Sequence, residues 1–170
     1  LEPLTQSWSM CPEQRFAHHP SSFIACTGFL VSKDLMLTAG HCIFNYGQTK
    51  NQATAQCTDF VWVFDFNETS LQAARNQVFK PSQVAECTEV LHAKHNSDYG
   101  VGTQTFLFRE DFGLFRIKNP FQDRTPLPLT KTHPFIGEKV STIGHPLGIS
   151  KTFSSGKVLG LSETYFRTDV

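Results

Sequence analysis

Short apolar runs, most of them alternating with polar residues, recur along almost the whole chain. The clearest is FVWVFDF, residues 60–66, where Phe60, Trp62, Phe64 and Phe66 occupy every second position. Successive side chains of a strand point to opposite faces, so this period of two predicts a strand with one aromatic face. Further runs that predict strands are residues 23–32, 35–39, 85–93, 112–118, 138–146 and 154–163.

Two segments interrupt this succession of strands. Residues 69–79 are a stretch that could form a helix, although they have no clean apolar face. Residues 119–137 are rich in proline and polar residues and are predicted to form a linker. Many short strands separated by turns are typical of β-barrels and β-sandwiches, so the chain is predicted to be all-β.

The bulk composition narrows the range of functions. The 170 residues include 15 Lys and Arg against 15 Asp and Glu, so no net charge would attract nucleic acid or an anionic membrane surface. No apolar run approaches the roughly 20 residues of a membrane-spanning helix. The N-terminal LEPLTQSWSMCPEQ has no basic leader and no apolar stretch, so we expect a processed, mature start rather than a signal peptide. Neither nucleic acid nor a membrane is therefore expected as a partner.

The cysteines indicate an oxidising compartment. None of them forms a Cys-x-x-Cys pair, which argues against zinc ribbons and thioredoxin-type redox motifs. Wide spacing in a strand-rich chain favours disulfides, and hence a secreted or periplasmic protein. The number is odd, so one cysteine is free or has a partner elsewhere. The five are Cys11, Cys26, Cys42, Cys57 and Cys87.

The segment LTAGHC places His41 at the end of an apolar run. Such a histidine can be a core residue, a metal ligand or a catalytic base. The longer segment CTGFLVSKDLMLTAGHC resembles the first-barrel segment of trypsin-like (chymotrypsin-fold) serine proteases. The cysteine spacing, the position of the turn and the Thr-Ala-Gly-His-Cys end match together. This resemblance implies that His41 is the general base and that Cys26 is bridged to Cys42.

That bridge would join the two ends of a predicted hairpin and hold the loop that carries His41. Cys57 and Cys87 lie on or beside predicted strands and could form a second disulfide, which would leave Cys11 for a partner outside this sequence. Other connectivities stay open, because spacing alone does not decide the pairing.

A catalytic histidine needs an acceptor that holds its second ring nitrogen. In the family this is an Asp at the head of a strand, and EDFGLFRI matches that pattern with Asp111. Asp98, in the polar segment HNSDYG, is a partial match and the alternative. Because Asp residues in turns usually make local hydrogen bonds, Asp111 is the preferred orienting carboxylate.

The resemblance extends more weakly from about residue 11 to about residue 160. CPEQRF, PLPL and GEKVSTIGHPLG are similar to segments of bacterial glutamyl-endopeptidase-like members. The implied fold is a chymotrypsin-like double β-barrel, with a complete first barrel and a partial second one. The expected division is an N-terminal extension at 1–22, the first barrel at 23–118, a linker at 119–137 and the start of the second barrel at 138–170.

The family's nucleophile segment, Gly-x-Ser-Gly, does not occur in this sequence. The nearest stretch is SSG at 154–156, which is predicted to precede a strand and lacks the first glycine. In the family's order the nucleophile loop follows the segment ETYFRTDV, with which this sequence ends. We therefore expect a serine endopeptidase acting on polypeptides, with the serine on a separate or missing C-terminal fragment, and this chain inactive alone. A deliberately truncated chain and a non-catalytic pseudoprotease that binds protein are the alternatives.

Metal binding has weaker support. His92 lies in a predicted strand and His95 in a predicted polar turn, so the two are not expected to converge. His18 and His19 have no carboxylate or thiolate cluster beside them that would complete a ligand set. His145, in GHPLG, is expected to have a structural role. Neither a metal nor a cofactor is predicted.

Overall fold

The structure is a computed structural model that describes residues 2–21, 26–43, 57, 61–70, 76, 78–99, 106–163 and 165–170. No helix in these ranges is long and apolar enough to cross a membrane. A short N-terminal unit comes first, in which β1 (Glu2–Pro3) pairs antiparallel with β2 (Pro20–Ser21) and α1 (Leu4–Ser7) follows β1 directly. The buried apolar residues of this N-terminal unit are Leu4 and Ala17.

A five-stranded antiparallel sheet forms the main body. Its spatial order is β3-β4-β7-β6-β5, which gives a half-barrel with β3 and β5 at the edges. The long pair β6 and β7 lies at its centre, and their pairing contains several register shifts. The strands are β3 (Gly28–Leu30), β4 (Leu35–Thr38), β5 (Val61–Val63), β6 (Val84–Tyr99) and β7 (Phe106–Ile117).

A three-stranded sheet follows, with the order β10-β9-β8. It contains β8 (Lys139–Gly144), β9 (Thr152–Leu161) and β10 (Phe166–Thr168), all antiparallel. Short 3₁₀ helices occur at Gly40–Cys42, Glu68–Ser70, Pro81–Gln83 and Pro146–Gly148.

The core of the five-stranded sheet is aromatic and aliphatic, as the alternating pattern predicts. Trp62 on β5 stacks on Phe115 of β7, with ring centroids 5.1 Å apart, and Met36 of β4 is buried in the same cluster. Burial of each such side chain stabilises the fold by about 2 kcal/mol. The core also contains Leu30, Ile43, Cys57, Ala85, Cys87, Ile117 and Phe121.

The segment between the two sheets, residues 119–137, contains neither helix nor strand and is tied to the first sheet. Arg124 binds Asp65 through two hydrogen bonds of 3.0 and 2.6 Å, and its guanidinium lies over the rings of Phe64 and Phe121. The bidentate pairing holds the pKa of the Asp65 carboxyl below its ordinary value, although partial burial opposes this shift.

The all-β class predicted from the sequence is confirmed, but one local prediction is wrong. His95 and Asp98 were expected in a polar turn, whereas β6 continues to Tyr99 because its polar residues pair across to β7. Ser154 and Ser155 of SSG lie inside β9, within the strand predicted at 154–163. Most of the possible helix at 69–79 is outside the described residues, and its described beginning is part of the Glu68–Ser70 3₁₀ helix.

Candidate active site

His41 lies on a tight turn that directly follows β4. The chain leaves the strand at Thr38 and forms the 3₁₀ helix Gly40–Cys42, in which the backbone N–H of Ile43 donates to the carbonyl of Gly40 at 2.9 Å. Ile43 is only 1% exposed, so the end of the turn is anchored in the core. The polar ring of His41 stays 37% exposed on the other side.

Two disulfides brace this region. Cys42, next to His41, is bonded to Cys26 with a Cα–Cα distance of 6.1 Å. Cys57 is bonded to Cys87 of β6, with a Cα–Cα distance of 5.5 Å. Cys11 is an exposed free cysteine. The first bond ties the turn that carries His41 to the chain ahead of β3.

Asp111 lies on β7 and reaches the His41 turn because of the strand register. Thr38, the last residue of β4, pairs with Gly113, so Asp111 lies two residues beyond the end of β4. Its carboxylate accepts the ring Nδ1–H of His41 at Oδ2, over 2.7 Å, and the backbone N–H of His41 at Oδ1, over 2.8 Å. A carboxylate only accepts hydrogen bonds, so this contact holds the proton of His41 on Nδ1.

The electrostatics keep Asp111 ionised. Partial burial alone would raise its pKa, but the backbone and ring hydrogen bonds from His41, and the charges of His41 and His95, outweigh burial and hold that pKa below its ordinary value. The carboxylate is thus negative at neutral pH and can stabilise a positive charge beside it.

His95 is a third member of the site that sequence reasoning missed. It lies directly opposite Asp111 in the β6–β7 pairing, and its Nδ1 is 3.3 Å from Oδ1 of Asp111. The rings of His41 and His95 meet edge to face, 6.0 Å apart. The signal that could have found it is a continuation of the β6 strand through HAKHN, which would have placed His95 across from β7.

The other histidines considered from the sequence do not join this group. His92 contacts the ring of Phe112, and His145 stacks on Phe66 and contacts the carbonyl of Ile149 through Nδ1. His19 lies 4.0 Å from a carboxylate oxygen of Glu68, and no ligand cluster in the described ranges includes it or His18.

Asp98, the alternative orienting carboxylate, and the serines are the remaining residues that were considered from the sequence. The side chain of Asp98 is outside the described part of the chain, and its backbone pairs with Leu107. Within the described part of the chain, the His41 ring is hydrogen-bonded to Asp111 and to no serine. Ser150 is 1% exposed, and Ser154 and Ser155 lie within β9 and pair with β8, so none of these three lies on an exposed loop of the kind that carries a nucleophile.

Chemically, the arrangement can take up a proton at Nε2 of His41 and stabilise the resulting charge with Asp111. A family model described as a trypsin-like peptidase domain matches residues 26–170 of this chain. No curated protein and no solved structure matches it significantly.

Proposed function

Because the chain belongs to the trypsin-like peptidase family, we propose that it supplies the histidine and the aspartate of a Ser-His-Asp endopeptidase. Its fold is accordingly the all-β, chymotrypsin-like one. The observation that carries the proposal is that the carboxylate of Asp111 accepts two hydrogen bonds from His41, one from the ring Nδ1–H and one from the backbone N–H. Asp111 sets the tautomer of His41 through the ring N–H and its position through the backbone N–H, and a general base needs both.

In the proposed reaction, Nε2 of His41 accepts the proton of a serine hydroxyl as its oxygen attacks the peptide carbonyl. Asp111 stays ionised and stabilises the imidazolium that forms. The imidazolium then gives its proton to the leaving amine, and the acyl-enzyme results. Water repeats the sequence: His41 takes a proton from it and returns that proton to the serine oxygen as the acid product leaves.

The serine is proposed to lie on a polypeptide segment outside these 170 residues. The sequence contains no Gly-x-Ser-Gly, and the second sheet offers a surface that such a segment would cover. Ile143 and Phe153 are paired across β8 and β9 and are 62% and 57% exposed. Leu161 and Phe166, paired across β9 and β10, are about half exposed as well. Further strands of a second barrel would bury these side chains.

Two finer points belong to the same proposal. The disulfides at Cys42 and Cys87 fit a secreted or periplasmic protein, because such bonds persist in oxidising compartments. The sequence similarity of CPEQRF and GEKVSTIGHPLG supports a closer relation to glutamyl-endopeptidase-like members.

The test uses protein isolated from its source together with everything bound to this chain. Intact mass under reducing and non-reducing conditions identifies a partner fragment, and a fluorophosphonate reagent labels an activated serine. We expect label on a Gly-x-Ser-Gly polypeptide that accompanies the chain, and no label or peptide hydrolysis with the isolated 170-residue chain.

Two results would contradict this. Labelling and hydrolysis by the isolated chain would show that its own serine is the nucleophile. A homogeneous, inactive and unlabelled 19.1 kDa species would favour the pseudoprotease that binds protein without cleaving it. His41→Ala in the active assembly should abolish both signals, and His92→Ala, at an exposed position of β6, is the matched control.

A further inference from the structure

Two imidazoles and one carboxylate converge at the His41 turn. His41, His95 and Asp111 each place one ligand atom within 4.8 Å of the other two. Nδ1 of His41 and Nδ1 of His95 contact the two oxygens of Asp111, at 2.7 and 3.3 Å. Two histidines and a carboxylate are a ligand set that zinc takes in protein sites with an open fourth position.

We propose that this cluster is an inhibitory Zn²⁺ site, in which the ion binds Nδ1 of His41, Nδ1 of His95 and the carboxylate of Asp111. Its effect on catalysis rests on the proposed function, whereas the binding itself does not. Cys26 and Cys42 also lie near His41 but are no ligands, because their sulfurs are bonded to each other.

Part of the ligand geometry already suits the ion. With zinc–ligand distances of about 2.0–2.2 Å, ligand atoms around a tetrahedral ion are roughly 3.3 Å apart. His95 and Asp111 already have that separation, while the His41 ring, 2.7 Å from Asp111, has to move outward slightly. The His41 side chain is 37% exposed and that of His95 is 26% exposed, so the ion and a fourth water ligand can enter from solvent.

The groups next to the cluster are compatible with a bound cation and do not compete for it. Lys94 and Glu110, the neighbours of His95 and Asp111 along their strands, pair with each other at 2.8 Å, so the charge of the lysine is compensated. The backbone N–H of His41 donates to Oδ1 of Asp111 and orients the carboxylate from outside the ligand set. Outer hydrogen bonds of this kind are a regular part of zinc sites.

Zinc would affect catalysis by changing which ring nitrogen of His41 carries the proton. In the metal-free site the proton is on Nδ1, and the lone pair of Nε2 is free to accept a proton. Zinc needs the Nδ1 lone pair, so the Nδ1 proton leaves to solvent and Nε2 takes one up, with no net change for a neutral ring. Nε2 then carries a hydrogen and no longer acts as a base. The metal thus inhibits by imposing the wrong tautomer.

Binding is tested on the isolated disulfide-bonded chain, which needs no activity. ZnCl₂ is titrated calorimetrically at neutral pH in a Cys11→Ser background, because the exposed Cys11 thiol is itself a zinc ligand. We expect one site, weakened at least tenfold by His95→Ala and unchanged by His92→Ala. His95→Gln keeps an N–H for Asp111 and decides the question if the alanine variant fails to fold. No binding, or equal loss with His92→Ala, would overturn the site.

The inhibitory effect is tested on the active assembly, with each variant compared with its own metal-free rate. We expect Zn²⁺ to inhibit the wild type reversibly on chelation, and to require at least tenfold more metal in His95→Gln. Zinc binding without peptidase activity would refute the proposed function and leave the metal site in place. Peptidase activity with zinc inhibition unchanged in His95→Gln would refute the site and leave the peptidase in place.

Discussion

Gly40 and Lys94 are in direct backbone contact, so that a Cβ atom added to Gly40 would overlap the carbonyl oxygen of Lys94. The carbonyl oxygen of Phe112 would be only 3.0 Å from the same atom. The turn before His41 thus lies flat on the central strands β6 and β7. This close approach needs a residue without a side chain, and it brings His41 down to the level of Asp111 and His95.

Gly40→Ala should therefore lift the turn and weaken the fold. Overlap with rigid backbone costs about 1–3 kcal/mol, and the His41–Asp111 hydrogen bond should lengthen or break. Urea denaturation measures the loss of stability. Gly160→Ala is the control, because its added methyl would meet only the flexible guanidinium of Arg167, at 3.1 Å. Equal stability of the two variants would show that the Gly40 contact is not tight.

Asp111→Asn should change the tautomer of His41 while preserving the shape of the site. The amide can present its NH₂ group to Nδ1, which then accepts, so the ring proton moves to Nε2. Nitrogen-15 NMR of the histidine ring in the isolated chain reports this directly. In the active assembly kcat should fall about 10⁴-fold. Asp123→Asn, at an exposed position, is the control. An unchanged ring spectrum in Asp111→Asn would contradict the assigned contact.

Removing either disulfide should destabilise the chain, but only one should disturb His41. The cysteines of the Cys26–Cys42 pair are 16 residues apart in sequence and those of the Cys57–Cys87 pair are 30 apart, so each bond contributes about 3 kcal/mol by limiting the unfolded chain. The paired serine variants are compared by denaturation and by the NMR signals of His41. We expect similar stability losses and a shift of the His41 signals with the first pair alone. Equal shifts with both pairs would argue against a local role of Cys42.

His145 should make the stability depend on pH on the acidic side of neutrality. Burial disfavours its charged form and lowers its pKa below 6.5, and Lys151 acts in the same direction, against the hydrogen bond to the Ile149 carbonyl. The unfolded chain therefore binds this proton first. Stability should decline as the pH falls below about 6.5, until the folded ring is protonated as well.

His145→Asn should flatten that decline, because an amide keeps the N–H for Ile149 and does not titrate. Lys151→Gln should flatten it in part, since the folded pKa then rises towards the unfolded one. Denaturation at a series of pH values gives the slopes. A wild-type slope in His145→Asn would mean that another group governs this range.

The all-β class and the aromatic core were predictable because they depend on local pattern. The alternation around Trp62 and Phe64 survives in β5 and the residues after it, where Trp62 packs on Phe115. The turn that carries His41 is likewise encoded locally, in the apolar run and the small residues that precede it. The assignment of Asp111 came from a resemblance, since nothing in the spacing of 70 residues indicates that the two side chains meet.

What the sequence alone determined was the strand content, the likeness of the His41 segment to a known peptidase family, and the lack of that family's serine motif. The tertiary structure decided which residues join the site. His95 lies opposite Asp111 only because β6 continues past its expected end and shifts register against β7 between Cys87 and Glu89 and again between Val90 and His92. Such shifts arise from pairing between distant segments, and each bulge moves every later side chain relative to the partner strand. The alternation of apolar and polar residues within one strand therefore does not predict them.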